Sequence, residues 1–123
     1  DLLKILTTIL DDKTMRAALG QATYTFIKTD AKRQVSTRLL HNTNQIIKNI
    51  PADKRDYKVL ATKTGYTEEA DATLMMLIES KKTKKQYIVI TLGNPDYAKR
   101  FEQPHKLAEW LVTTPPSQLA TAN

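Results

Sequence analysis

Residues 72–79 (ATLMMLIE) and 86–92 (QYIVITL) carry long apolar or β-branched side chains at most positions, and the polar link SKKTKK separates them. That arrangement limits the fold more than any other feature of the chain. Strands that are apolar on both faces belong in the middle of a sheet, with cover above and below. A parallel pair needs a crossover of about a dozen residues, longer than this link, so the two runs are expected to return antiparallel as a hairpin. Residues 57–64 (YKVLATKT) alternate in character and are expected alongside 72–79 as a third strand.

Helical spacing marks both ends. Leu2, Leu3, Ile5, Leu6, Ile9 and Leu10 fall on one broad face, so 2–10 is expected to be a helix that needs a surface to pack against. Asp11 or Asp12 can cap a second short helix through Leu19, with Gly20 as its terminator. A closing helix is expected over 95–113. Asn94-Pro95 is its start signal, Tyr97, Phe101, Leu107, Trp110 and Leu111 are its apolar stripe, and Pro104 should kink or restart it. Trp110 is expected to anchor this helix on the sheet, and Met75 and Met76 to fill the core. Residues 22–27 (ATYTFI) and 35–41 read as short strands around a polar turn. Residues 41–45 (HNTNQ) read as a loop or helix start, and 51–56 as a loop. The expected class is mixed α/β (α+β): an antiparallel sheet of three main strands with flanking helices over 1–114, followed by a linker-like tail, 115–123.

Composition removes several chemistries. The 123 residues contain no cysteine, which excludes a disulfide scaffold, a cysteine nucleophile and a thiolate metal site. His41 and His105 lack the spacing of a metal site, and no metal is expected. His41 has no serine or carboxylate placed to complete a triad and reads as a loop histidine. No run approaches the length of a membrane-spanning helix. The net charge is +6, but Lys81, Lys82, Lys84 and Lys85 cluster in the link and the other cations are scattered among acids. A solvated turn accounts for this pattern, and nucleic acid is not an expected partner. A non-catalytic module that holds nucleic acid or an anionic envelope polymer on the basic hairpin stays as the alternative of a different kind.

The stretch that carries chemistry is Lys63-Thr64-Gly65-Tyr66-Thr67. It sets a positive point charge, a hydroxyl donor and a glycine together at a strand end. Such an edge can hold a carboxylate and offer a backbone N–H to a developing oxyanion. Taken alone, the tripeptide is read as a solvent-facing lysine ahead of a turn glycine. Its surroundings reverse that reading. KTGYT is followed by Glu68-Glu69-Ala70, a hairpin and a helix reading RF-x-x-x-x-KLAEWL, and is preceded by Asn42-Thr43-Asn44.

In that order these segments resemble the low-molecular-mass penicillin-binding proteins, the serine-type D-Ala-D-Ala carboxypeptidases, over about residues 1–114. There KTG is the third active-site motif. The resemblance implies the penicillin-binding-protein/β-lactamase-like transpeptidase fold, an extracytoplasmic site in a bacterial envelope, and removal of the terminal D-Ala from peptidoglycan stem peptides through a serine acyl-enzyme. Lys63 would supply positive field and orient the proton network, and Thr64 would bind the terminal carboxylate. Gly65 would let the strand lie against the ligand, and the Tyr66 backbone N–H would be one oxyanion donor. No cofactor is implied, and β-lactams would be ligands of the same site. A β-lactamase shares the KTG strand and is the nearer alternative.

The sequence departs from the family at Ala61 and Asp71, where glycines are usual, and it has no S-x-x-K: Ser36, Ser80 and Ser117 are each followed at the third place by another residue. The chain therefore reads as the C-terminal part of a catalytic domain, beginning at a cut end, inactive alone, and partnered by the part that carries the nucleophile. The Leu3, Leu6, Leu10 face, the edge of 57–64 and the apolar sides of 72–79 would then face water. The chain is expected to pair with a second copy, exchange a segment, or be bound by a complementary chain.

Overall fold

The apolar runs fold into one antiparallel sheet. The computed structural model describes residues 1–97 and 99–119, and in it β3 (Tyr57–Thr67), β4 (Asp71–Ser80) and β5 (Gln86–Asn94) stand in the order β3-β4-β5. Met75 pairs with Lys63 on one side and Ile90 on the other, and both neighbours of β4 run antiparallel to it. The hairpin and the flanking position of 57–64 are as the sequence implies, with β3 extended to Thr67. The link folds as a turn at 81–83, with Lys84 in the left-handed region (φ 61°) just beyond it.

β4 is covered on both faces. On one, Leu74, Met76 and Ile78 form a core with Ile46, Tyr57, Val89 and Ala108. On the other, Leu77 packs with Ala61, Leu6 and Leu10. The apolar sides of 72–79 therefore do not face water. The helix α1 (Leu2–Asp11) closes the second face with Leu6 and Leu10, one turn apart and at most 9% exposed. Of the apolar face expected to be open, Leu3 alone is exposed, together with Leu2 and Ile5 on an adjoining stripe. Met76 is fully buried, and Met75 packs partly buried against the second core.

The helix α2 (Lys13–Gly20) starts where expected, with Asp12 Oδ1 accepting the Met15 N–H at 2.9 Å. Its glycine serves a purpose other than termination. Gly20 is the last helical residue and Gln21, which follows, is extended rather than left-handed. A Cβ on Gly20 would meet the Leu60 carbonyl oxygen at 2.4 Å, so the residue lets α2 press against β3. Beyond it, β1 (Thr23–Thr29) and β2 (Val35–His41) pair as a separate antiparallel hairpin, exposed at every position except the half-buried Phe26. Asp30 Oδ1 accepts the N–H groups of Lys32 and Gln34 and shapes its turn. A short helix, α3 (Gln45–Asn49), and a 3-10 turn at Ala52–Lys54 lead into β3.

The closing helix differs from expectation. A 3-10 turn at Lys99–Phe101 comes first, and α4 spans Glu102–Thr113. Asn94 ends β5 rather than starting a helix, its Oδ1 accepting the Asp96 N–H. Pro104 falls in the first turn of α4, where its missing donor has no partner to lose, so the restart anticipated at Pro104 begins two residues earlier. The buried face of α4 is Pro104, Ala108 and Val112. Trp110 lies off that face, 47% exposed, and does not anchor the helix. The tail includes one helical turn, α5 (Pro116–Leu119), and residues 120–123 lie outside the described residues.

A polar contact fixes α4 to β3. Tyr57 is fully buried and its hydroxyl lies 2.8 Å from His105 Nδ1, while Glu109 Oε1 accepts the Asp56 N–H at 3.3 Å. Burial pushes the Tyr57 pKa upward, against a smaller opposing pull from the Arg55 cation. A raised folded-state pKa means that the folded form holds its proton more tightly. Its stabilising contribution is complete below the unfolded value of about 10 and is lost as pH climbs above it. Urea midpoints followed from pH 8 to 11 should fall more steeply for the native chain than for Tyr57→Phe. Equal slopes would mean that the phenol is not desolvated. At Gly20, alanine would gain about 1 kcal/mol in an exposed helix. Here Gly20→Ala should instead destabilise by about 1–3 kcal/mol by urea denaturation, because the new methyl meets the Leu60 carbonyl.

Candidate functional site

β3 is an edge strand, and its successive side chains point to opposite faces. Thr62 and Thr64 lie on the α3 side, and Lys63 lies on the α1–α2 side. The strand's free edge carries Lys63-Thr64-Gly65-Tyr66, opposite Met75, Leu74, Thr73 and Ala72 of β4.

The Asn42-Thr43-Asn44 segment is built onto this strand. Asn42 N–H donates to the Ala22 carbonyl at 2.8 Å and its Nδ2 to the Gln21 carbonyl at 2.9 Å. Its Oδ1 accepts the Asn44 N–H at 3.0 Å. Asn44 is fully buried and does two jobs. Its Oδ1 caps α3 by accepting the Ile46 N–H at 2.9 Å, and its Nδ2 donates to Thr62 Oγ1 at 2.9 Å. Thr62 in turn donates to the Met75 carbonyl at 3.0 Å, so the chain of bonds runs from α3 through β3 into β4. Side-chain amides suit this task because each offers an acceptor and two donors at fixed angles.

Thr43 completes the clamp. Its Oγ1 lies 2.6 Å from Thr64 Oγ1. With no segment of this chain across the cleft, Lys63, Thr64 and Gly65 were expected to lie partly exposed, and burial of Thr64 under the chain's own segments to count against a direct ligand contact for it. It is instead buried, 9% exposed, because Thr43 closes over it. Two paired hydroxyls use one proton between them and leave one O–H free to donate elsewhere. Thr43 is exposed, so the free donor can be presented outward through it. In the sequence Thr43 stands out only as the middle of Asn42-Thr43-Asn44, and a side-chain pairing across 21 residues has no local signal.

Lys63 is exposed. Its stem borders an apolar hollow of about 330 Å³ walled by Leu6, Ile9, Met15, Leu19 and Met75. Its ammonium turns back to donate to the Thr64 carbonyl. It has no ion-pair partner among the described residues, so its charge is available to an anion at the edge. Gly65 is half-buried, and a Cβ there would meet Thr73 Oγ1 at 2.5 Å. The glycine is thus required by the neighbouring strand, whatever approaches from the open side.

Tyr66 begins a second cluster that the sequence did not reveal. Its exposed ring meets Tyr97 edge-on at 5.6 Å. The Arg100 guanidinium lies 3.8 Å from the Tyr97 centroid and 4.7 Å from that of Phe101, buried to 5% exposure. Beyond Thr67 the turn closes through Asp71 at φ 54°, a left-handed residue in the place where the resembled family usually has glycine. Aspartate is among the few other residues that adopt this region readily. The other departure, Ala61, is 1% exposed under α1, at a register shift between Val59 and Ala61. His41 ends β2, exposed.

Replacing Asn44 tests the clamp. Asn44→Ala removes the α3 cap and the Thr62 partner together, and should cost about 2 kcal/mol by urea denaturation. A loss of a few tenths would mean that α3 is held by Ile46 alone.

No protein-family model matches the chain, and no curated protein matches it. A solved structure does: D-alanyl-D-alanine carboxypeptidase from Mycobacterium tuberculosis H37Rv, at a TM-score of 0.66 and 15% identity, over 91% of this chain and 39% of that one. The chain thus spans 39% of the length of the structure it matches, and at this identity the likeness is one of fold. The fold is mixed α+β, with an antiparallel three-stranded sheet and flanking helices, of the penicillin-binding-protein/β-lactamase-like kind.

Proposed function

We propose that this chain supplies the KTG wall of a serine-type D-Ala-D-Ala carboxypeptidase site. The observation that carries the reading is the position of Lys63-Thr64-Gly65 on an open sheet edge, clamped by Asn42-Thr43-Asn44, in a fold shared with a carboxypeptidase. In this reading the substrate is a peptidoglycan stem peptide ending in D-Ala-D-Ala, met outside the cytoplasmic membrane. The Lys63 ammonium, which has no carboxylate partner among the described residues, draws the terminal carboxylate, and the Thr43–Thr64 hydroxyl pair donates to it. A serine oxygen attacks the carbonyl of the penultimate D-Ala. The Tyr66 backbone N–H stabilises the oxyanion, the C–N bond breaks, and the leaving amine takes a proton. Water then hydrolyses the ester.

The attacking serine and its lysine stand outside these 123 residues, which contain no S-x-x-K. The segment that carries them would dock on the β3 edge and on the exposed Leu2, Leu3 and Ile5 of α1. β-Lactams, which present a strained amide and a carboxylate in the same relation, would occupy the completed site. Two copies of the chain alone would associate through the same surface.

Titrating a D-Ala-D-Ala tripeptide into isotope-labelled chain should shift the amide resonances of Thr43 and of residues 63–66. Thr64→Val should weaken that binding about tenfold. Shifts confined to other regions, or binding indifferent to Thr64→Val, would sink the reading. Penicillin should leave no covalent adduct on Ser36, Ser80 or Ser117 by mass spectrometry.

A further inference from the structure

The β1–β2 hairpin is a sheet of only two strands. In water such a unit is marginally stable unless a third strand or a packed face supports it. Asn42 holds its base. Beyond the base, its substantial packing is between its own strands, and every strand residue except Phe26 is exposed.

The two faces differ in chemistry. Paired residues share a face, and successive residues alternate between faces. One face carries Thr25, Ile27, Thr29, Val35, Thr37 and Leu39, all uncharged and all but Leu39 β-branched. Ile27 is 72% exposed, Val35 68% and Leu39 54%. The opposite face carries Lys28 and Arg38, diagonal neighbours across the Lys28–Ser36 and Phe26–Arg38 pairs. Lys32 and Arg33 add two cations at the turn. None of the four has an ion-pair partner among the described residues. The hairpin's one carboxylate, Asp30, is committed to the turn, where its Oδ1 accepts the Lys32 and Gln34 N–H groups.

β2 is the more open strand. It is exposed at all its positions and pairs with no strand but β1. The N–H and C=O groups that it turns outward bond to nothing among the described residues. An edge of this kind is a template for a further strand.

We infer that the Val35–His41 edge takes up an extended acidic segment of a partner protein as a third strand. Residues of that segment opposite Val35, Thr37 and Leu39 fall on the uncharged face, and those opposite Ser36 and Arg38 fall on the cationic one. The segment therefore alternates apolar or β-branched residues with carboxylates. Main-chain bonds supply affinity, and the Arg38 guanidinium supplies the preference for a carboxylate. A second copy of this chain would bring the same uncompensated cations to the contact. An anionic lipid surface would have to meet the apolar face and the cations together, and these point to opposite sides of the sheet. A nucleic acid would use the cations but leave the strand edge and the Ile27, Val35, Leu39 face bare. The inference is independent of the carboxypeptidase reading, since no residue of the KTG edge enters it.

The test uses the isotope-labelled 123-residue chain and two short peptides, one alternating valine with glutamate and the other valine with lysine. The glutamate peptide, at up to millimolar concentration, should shift the amides of residues 35–41. It should bind about fivefold more tightly than the lysine peptide, as expected for one or two cross-strand charge pairs. Arg38→Glu should reverse the order, weakening the glutamate peptide about fivefold and tightening the lysine peptide, an exchange that simple loss of structure does not imitate. If circular dichroism shows that Arg38→Glu has lost the hairpin, the shift map and peptide preference of the native chain decide. Equal binding of the two peptides, shifts confined to residues 63–66, or an unchanged preference in a folded Arg38→Glu overturns the inference. So do shifts at 35–41 that grow with protein concentration alone, the mark of a second copy. Tighter binding at these residues by phosphatidylglycerol vesicles or a single-stranded DNA oligonucleotide also overturns it.

Discussion

Burial of β4 on both faces is the constraint from which the remaining structure follows. Leu74, Met76 and Ile78 point one way and are essentially inaccessible to water, and Leu77 points the other. Each fully buried side chain of this size stabilises by about 1.5–3 kcal/mol relative to exposure. Such a strand must have neighbours on both edges and cover on both sides. β3 and β5 supply the edges, α4 covers one face, and α1 with α2 covers the other. With β4 central in a three-stranded sheet, β3 necessarily keeps one open edge. The Lys-Thr-Gly sequence is on that edge because of where the hydrophobic burial lies, and no strain or special loop is needed to place it.

An open edge by itself would be a poor binding surface, since unpaired strands recruit other chains. Here the Asn42-Thr43-Asn44 segment limits that freedom. Asn44 ties α3 to Thr62, and Thr43 sits on Thr64. The bonds are few, but the Asn44 contact is buried, where an unsatisfied amide or hydroxyl costs about 1–3 kcal/mol. The clamp therefore holds the α3-side face of the strand in one arrangement, while on the other face Lys63 lies along the apolar hollow and bonds back to the Thr64 carbonyl.

Much of this was legible in the sequence, and the reason is local. The strands at 57–67, 71–80 and 86–94 announce themselves because β-branched and apolar residues recur within each, and the turn between the last two is too short for any other connection. Asp12 is legible as a cap for the same reason. What was not legible depends on contacts between distant segments. Gly20 looks like a helix terminator until the Leu60 carbonyl is seen beneath it. Thr64 looks exposed until Thr43 is placed. Trp110 looks like an anchor because of its size, but the angle of α4 is set by Pro104, Ala108 and Val112, which turns the indole outward. The start of α4 was misplaced because Asn94-Pro95 carries two start signals. The Asn94 side chain instead closes a turn onto Asp96, and a 3-10 turn fills the interval.

The same division runs through the site itself. The KTG edge was visible as a motif, whereas the clamp on it exists only because the chain after the hairpin returns to α2 and β3. Asn42 joins them: its backbone and side chain bond to Ala22 and Gln21 beside α2, and its carbonyl oxygen on the side chain accepts from Asn44, which bonds to β3. These bonds tie the hairpin base to the sheet through one short segment. Asn42-Thr43-Asn44 is therefore a structural joint, holding Thr43 against Thr64 and Asn44 against Thr62, rather than a loop fixed only by its own turn geometry.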